Sequence, residues 1–252
     1  MIIKTTLYNG EVELFFENFR HQYTCNNKKV TSVTQALSVI NKPALVAWAA
    51  NMAVEYVSTQ IEPGKSYDEL QLQAIFEAGR KNHYNKKQEA GNLGTFVHKW
   101  VEQYIKGENP AMPVNEALQE SIKRFMTWVE KHKVTFLLAE QQIYSRKYNY
   151  TGTLDFICKI DGKMYIGDLK TSSGIYPEYL IQTAAYRFAR VEEYPEEKYE
   201  GQLIVRIGKD GTFEFAVMRD EAWFRRMFVA FMAALKLQES LEAIKEFKVD
   251  RE

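Results

Sequence analysis

Residues 151–172, TGTLDFICKIDGKMYIGDLKTS, constrain this chain more than any other stretch. Asp161-Gly162 is a preferred pair for the two-residue hairpin turn, whose central positions need positive φ. Runs rich in Ile, Phe, Tyr and Leu flank it, as strands do. The turn fixes a register: Ile160 faces Lys163, and counting back along both arms sets Asp155 opposite Asp168. Parity makes that a non-hydrogen-bonded pair, with Cβ atoms roughly 4.5–5.5 Å apart. Lys170, two residues on, projects from the same face.

Two carboxylates facing each other across a ladder repel. Leu154, Phe156, Ile166 and Leu169 surround them, so the site reads as half-buried, where unpaired charge costs most. A divalent cation between the carboxylates removes the conflict, and hard oxygen ligands favour Mg²⁺ or Mn²⁺. The plainer alternative is that Asp155 ends a strand at the surface and Lys170 simply pairs with Asp168. The register, the apolar flanks and Gly152 ahead of the first arm favour the metal.

The remaining sequence divides into a helical first half and a mixed second half. Residues 2–30 alternate apolar and polar, with a turn at Asn26-Asn27, and predict a small sheet of two or three strands. Thr31 or Ser32 caps a helix, Asn41-Lys42-Pro43 separates it from a second through Ser58, and helices are predicted over 67–83, 92–106 and 114–132. Strands follow at 134–145, 152–160 and 163–171, a helix at 177–191, strands at 200–207 and 211–217, and a long amphipathic helix from Asp220 to Phe247. The expected fold is α/β (α+β), a mixed central sheet flanked by helices. Residues 1–90 form a small β and helical region packed on a core at 91–252, the whole being one continuous unit.

Composition narrows the chemistry. The 33 basic and 33 acidic residues cancel, so nucleic acid would have to be held by a local basic groove. Cys25 and Cys158 are the only cysteines, too few for a four-thiolate zinc or iron–sulfur site. No apolar run approaches spanning length and the N-terminus lacks a signal pattern, so a soluble, cytoplasmic protein with no membrane partner is expected.

A series of motifs, in order, resembles the PD-(D/E)XK nuclease superfamily, in particular its RecB-like and phage exonuclease branch. The series runs from Gly94-Thr95-Phe96-Val97-His98 on a helix through Glu140 in the first core strand to Tyr150-Thr151-Gly152-Thr153-Leu154-Asp155. It continues with Gly167-Asp168-Leu169-Lys170-Thr171-Ser172 and Gln182-Thr183-Ala184-Ala185-Tyr186. The resemblance spans about 90 to 190 and implies a restriction-endonuclease-like sheet. It implies Asp155, Asp168, the Leu169 carbonyl and His98 as ligands of one or two Mg²⁺ or Mn²⁺ ions. Lys170 would orient or activate the attacking water, and Gln182 and Tyr186 would brace the site and contact nucleic acid. Some relatives hold an iron–sulfur cluster on four cysteines; this chain lacks them and resembles the cluster-free types.

The residues themselves leave choices open. His98 and Glu102 share a helix face, and Glu102 serves equally well as a partner for Lys99 or Lys106. Glu140 is either an orienting carboxylate in the catalytic set or an edge charge. Gln182 and Tyr186 form an i,i+4 pair facing a cleft, unless Tyr186 caps the core. Arg146, Lys147, Tyr148 and Tyr150 before Asp155, Tyr176 and Tyr179 after Lys170, and Thr171 are candidate substrate contacts, rings stacking on bases and cations meeting phosphates. Lys81, Lys86 and Lys87 offer an entry rim.

The expected function is a metal-dependent DNA exonuclease of recombination, repair or replication, acting on single-stranded DNA or free ends in a bacterial or phage-infected cell. Candidate partners are a recombinase, a single-strand-binding protein or a helicase. The rivals are a structure- or site-specific endonuclease and a weakly catalytic binding module on the same fold.

Overall fold

The computed structural model describes residues 2–245 and 247. Its N-terminal strands β1 (Ile2–Leu7), β2 (Val12–Glu17), β3 (Gln22–Cys25) and β4 (Lys28–Ser32) form an antiparallel meander. There are four strands where alternation predicts two or three, because Asn9, His21 and Asn26-Asn27 all take positive φ and turn the chain each time. Leu7, Val12, Leu14, Tyr23, Cys25 and Val30 form their shared core. Ser32 then starts the short helix α1 (Val33–Ala36) with a full capping box, its hydroxyl accepting from Gln35 and the Gln35 side chain accepting from the Ser32 amide.

Two units divide the chain: Met1–Ile40 with Val97–Glu252, and Asn41–Phe96. The Asn41–Phe96 unit holds helix α2 (Pro43–Gln60) and most of α3 (Glu69–Ile105). Within it, Asn82 donates to the Met52 carbonyl at 3.1 Å. The two helices expected over 67–83 and 92–106 are one continuous helix. No proline falls between them, and Gly91 and Gly94 cost only about 1 kcal/mol each in a helix interior.

The larger unit carries the mixed sheet, nine strands among the described residues, in the order β1-β2-β3-β4-β6-β7-β8-β9, with β5 (Thr135–Ser145) on β6 (Tyr150–Ile160). Strand β7 (Lys163–Lys170) pairs antiparallel with β6 and parallel with β8 (Tyr199–Ile207), and β8 pairs antiparallel with β9 (Phe213–Met218). β5 occupies one edge of β6 along most of its length. The opposite edge is therefore shared by β4, paired at Tyr150 and Thr151, and β7, paired from Phe156 onward. Residues 152–155 lie between, with no strand on that edge among the described residues.

Helices cover both faces. Ile157 packs in one core with Ala184, Ala185, Ala189, Phe228 and Phe231 of α5 (Pro177–Glu193) and α6 (Glu221–Ile244). Its neighbour Phe156 points the other way, onto an aromatic layer of Phe136, Phe125 and Tyr104 built with α4 (Glu116–Lys131). Asp220 caps α6 by accepting from Ala222 and Trp223; of the tail expected to complete that helix, Glu246 lies outside the described residues. No described helix is long and apolar enough to cross a membrane.

Candidate metal centre

The Asp161-Gly162 turn gives the register it predicts, from Ile160↔Lys163 to Phe156↔Gly167. The ladder then stops one pair short of Asp155 and Asp168, so the close facing pair expected there is not formed. Continuing the alternation would hydrogen-bond Leu169 to Leu154 across the strands. Instead the Asp155 Oδ2 accepts from the Leu169 amide at 2.6 Å. A carboxylate thus replaces a backbone carbonyl, and the strands part around it. In extended backbone the amide and carbonyl of one residue address the same edge, which puts the Leu169 carbonyl on the β6 side of β7.

On the other side of β6, Ala139 faces Phe156 and Gln141 faces Leu154, which sets Glu140 level with Asp155. The register shifts by one residue between Phe136 and Leu138, and Glu140 has φ of +50°. A non-glycine residue in that region carries a cost of about 1–2 kcal/mol and is worth a functional explanation. The last turns of α3 bring His98, whose Nδ1 lies 3.6 Å from Asp155 Oδ1 and 3.9 Å from Glu140 Oε1. Ligand atoms of His98, Glu140 and Asp155 all fall within 4.8 Å of one another, close enough to hold a metal ion. Burial works against protonation of His98, but the Asp155 and Glu140 carboxylates outweigh it and raise the imidazole to about 9.

Asp168 sits beside this group, fully buried. Its Oδ2 is 2.6 Å from Lys170 Nζ, yet neither carboxylate oxygen has a properly directed hydrogen bond among the described residues. Burial pushes the carboxyl up to about 7 despite the pull of Lys170, and Asp155 adds to the rise. A buried carboxylate without a well-directed hydrogen bond is costly; Lys170 is its cationic neighbour, and the remaining lone pairs leave room for a second cation. With an imidazole and several carboxylates to hand, the donor set fits a metal ion.

Lys170 is held from three sides. Besides Asp168, it donates to Gln182 Oε1 at 3.2 Å and lies 4.9 Å from the centre of the Tyr179 ring. Burial would lower its pKa, but Asp168 and Asp155 keep the ammonium above its ordinary value. Gln182 passes the constraint on, donating to the Tyr186 hydroxyl at 2.8 Å. Gly152 makes room for that ring: a Cβ there would meet Tyr186 Cε1 at 2.8 Å.

Several expected contacts fall elsewhere. Tyr150 is fully buried, donating to the Ala185 carbonyl at 2.8 Å and packed edge-on against Phe231, so it is a core residue and not a substrate contact. Tyr186 is 2% exposed and braces Gln182 without offering a surface to nucleic acid. Arg146 bonds Glu11 at 2.6 Å and stacks on Tyr8, while Lys147 is tied through its amide to Glu192. Both lie beyond the far end of β6, five strand residues and roughly 17 Å from Asp155. Glu102 is occupied by Lys106 at 2.5 Å. Lys81, Lys86 and Lys87 are exposed on the Asn41–Phe96 unit, Lys86 paired with Glu89. Thr171 is half-buried at the end of β7, and Tyr176 is 40% exposed with its hydroxyl 2.8 Å from Ser173 Oγ.

The structure sharpens one expectation and adds one residue. Glu140, expected either in the catalytic set or as an edge charge, joins the donor group itself. Tyr23 reaches across from β3 to share a hydrogen bond with Thr153 at 2.9 Å, two residues from Asp155; no local pattern marks it.

No family model matches this chain, and neither does any curated protein. Among solved structures it is similar to the "Putative exonuclease" of Eubacterium rectale, at 13% identity over 63% of this chain and 76% of that one, with a TM-score of 0.40. It is also similar to SSO0001, at 12% identity over 74% and 86% of the two chains, with a TM-score of 0.30.

Proposed function

We propose that this chain is a metal-dependent nuclease that hydrolyses phosphodiester bonds in DNA, an exonuclease of the RecB-like, phage-type branch of the PD-(D/E)XK superfamily. One observation carries the reading: the His98, Glu140 and Asp155 donor group beside a buried Asp168–Lys170 pair whose carboxylate has no well-directed hydrogen bond among the described residues. A satisfied structural ion pair needs no such neighbours.

His98, Glu140 and Asp155 would hold the ion, with Asp168 and the Leu169 carbonyl on the side of β7. Hard oxygen donors favour Mg²⁺ or Mn²⁺. When bound, the ion polarises the phosphate and stabilises charge on the leaving oxygen. The chain's own contribution is orientation and charge. Lys170, fixed by Asp168, Gln182 and Tyr179, orients the attacking water and offsets the negative charge that builds on the phosphate. Tyr176 is the exposed ring nearest in sequence to Lys170 and serves as a stacking surface for a base.

The test is digestion of linear DNA labelled at either end, set against a covalently closed circle, with Mg²⁺ or Mn²⁺ and an EDTA control. An exonuclease consumes only the linear form, and the retained label reports polarity. Nicking of the circle would instead establish an endonuclease, and no metal-dependent digestion of either would leave a binding module.

A further inference from the structure

Strand β8 contains the buried run Leu203-Ile204-Val205-Arg206-Ile207, in which Arg206 is only 3% exposed. A guanidinium in a sheet interior is tolerated only when its donors are used. Nε donates to Glu214 at 2.9 Å, Nη2 to Thr212 Oγ1 at 2.7 Å, and Nη1 to the Ser172 carbonyl at 3.0 Å. The β8–β9 turn is shaped around this fork. The Gly208 amide bonds the Thr212 carbonyl at 2.8 Å, and a Cβ at Gly208 would collide with the side chains of Asp210 and Thr212 and lie 2.6 Å from Nη1.

Two of the three bonds stay within the β8–β9 hairpin; the third reaches back to another part of the chain. In the parallel β7–β8 ladder Arg206 is the partner of Lys170. Ser172 lies in the stretch Thr171–Tyr176, which has no regular structure and joins Lys170 to α5. That helix supplies both Tyr179 and Gln182, the groups that fix the Lys170 ammonium alongside Asp168. The stretch is further closed by Ser172 Oγ donating to the Gly174 carbonyl at 2.8 Å.

We infer that Arg206 is a positioning residue: its guanidinium tethers the Ser172 carbonyl and so holds the Thr171–Tyr176 connection in the path that closes Tyr179 and Gln182 on Lys170. The tether is a property of the fold; only its effect on rate rests on the nuclease reading. Displacing a reacting group by about 1 Å is enough to slow a reaction roughly a hundredfold.

The test uses the full chain with Arg206→Met and Arg206→Lys, the latter keeping charge in a strand that has lost the fork. Amide exchange is followed by mass spectrometry over 171–176 and, as an internal control, over 156–167. In Arg206→Met, exchange over 171–176 is expected to rise about tenfold or more while 156–167 is unchanged. Cleavage of end-labelled linear DNA should lose about 10- to 100-fold in kcat with little change in KM, and the thermal shift produced by Mn²⁺ should persist. Arg206→Lys should fall between wild type and Arg206→Met, and it decides the matter if Arg206→Met does not fold. Unchanged exchange over 171–176 overturns the tether. Raised exchange with a normal kcat overturns the positioning role, as does a kcat loss no larger than the loss of folded protein. If the wild-type chain cuts no DNA, the nuclease reading fails, while exchange still decides the tether.

Discussion

Two ion pairs lie inside the same unit and are built in opposite ways. Arg190 and Glu197 meet through a two-pronged contact at 2.9 and 2.7 Å, and the Tyr199 hydroxyl adds a third hydrogen bond to the carboxylate. Burial alone would push Glu197 up, but the bonds from Arg190 and Tyr199 hold it below the usual carboxylate range. Asp168 and Lys170 are as close, at 2.6 Å, yet the carboxylate has no well-directed hydrogen bond among the described residues and is pushed up to about 7. The first pair is complete within the protein. The second has no well-directed hydrogen bond among the described residues, and three groups close enough together to hold a metal ion stand beside it. A buried charge that the fold satisfies is architecture; one that it leaves short marks where something else is to bind.

The largest expected effect separates the pairs by chemistry. Lys170→Ala should lower single-turnover cleavage about a thousandfold, the scale of losing a group that stabilises transition-state charge. Glu197→Gln should leave cleavage per folded molecule unaltered. A Lys170→Ala protein that cuts at the wild-type rate would remove the basis of the comparison.

Stability should divide them the other way. Glu197→Gln leaves Arg190 buried without its counter-charge, and a loss of about 3 kcal/mol is expected. In a chain of this size that lowers Tm by roughly 6–12 °C, read by thermal denaturation in EDTA. Mn²⁺ at about 100 times its dissociation constant should stabilise the wild type by about 2.7 kcal/mol. The same increment should appear in Glu197→Gln and vanish in Asp155→Asn, whose amide still accepts from Leu169 but ligates poorly. A metal-induced shift that survives in Asp155→Asn would move the ion away from β6.

The smallest effect is in pH. In the metal-free protein His98 is raised to about 9 by Asp155 and Glu140 against the cost of burial, so its protonation stabilises the fold. That contribution is fully present below the ordinary imidazole range near 6.5 and is lost as pH rises through about 9. Glu197 behaves oppositely: its contribution is present above the ordinary carboxylate range and lost as pH falls through its lowered value. Denaturation of wild type and His98→Gln in EDTA should therefore converge as pH passes about 9. A gap that widens there would mean that the imidazole is not held by the carboxylates.

How much of this could be read from sequence follows physical range. The hairpin register was legible because a two-residue turn fixes pairing locally, and Asp155, Asp168 and Lys170 come from that count. The end of the ladder was not legible, since it depends on which acceptor wins the Leu169 amide, a contest settled in three dimensions. The displacement near Leu137 and the left-handed Glu140 leave no mark in a run that otherwise reads as strand. Tyr150 and Tyr186 are not decided by sequence for a common reason: a tyrosine next to such a motif suits a stacking surface or a core wall equally well, and only the positions of α5 and α6 bury both rings, leaving Tyr186 the bracing contact to Gln182. Arg206 is not legible, because a single charge in an apolar run carries no local sign of what it reaches.

The backbone at Glu140 has a consequence for mutational tolerance. Glycine adopts φ of +50° without the penalty that a β-carbon imposes, so Glu140→Gly relieves strain while deleting a carboxylate from the ligand group. Folding and chemistry thus set opposite preferences at a single codon. In a saturation library sorted for thermal survival without metal, glycine and asparagine should be enriched at position 140. The same library sorted for DNA cleavage should return glutamate. Replacements that survive the first sort and fail the second would supply well-folded proteins on which DNA binding can be measured apart from cleavage.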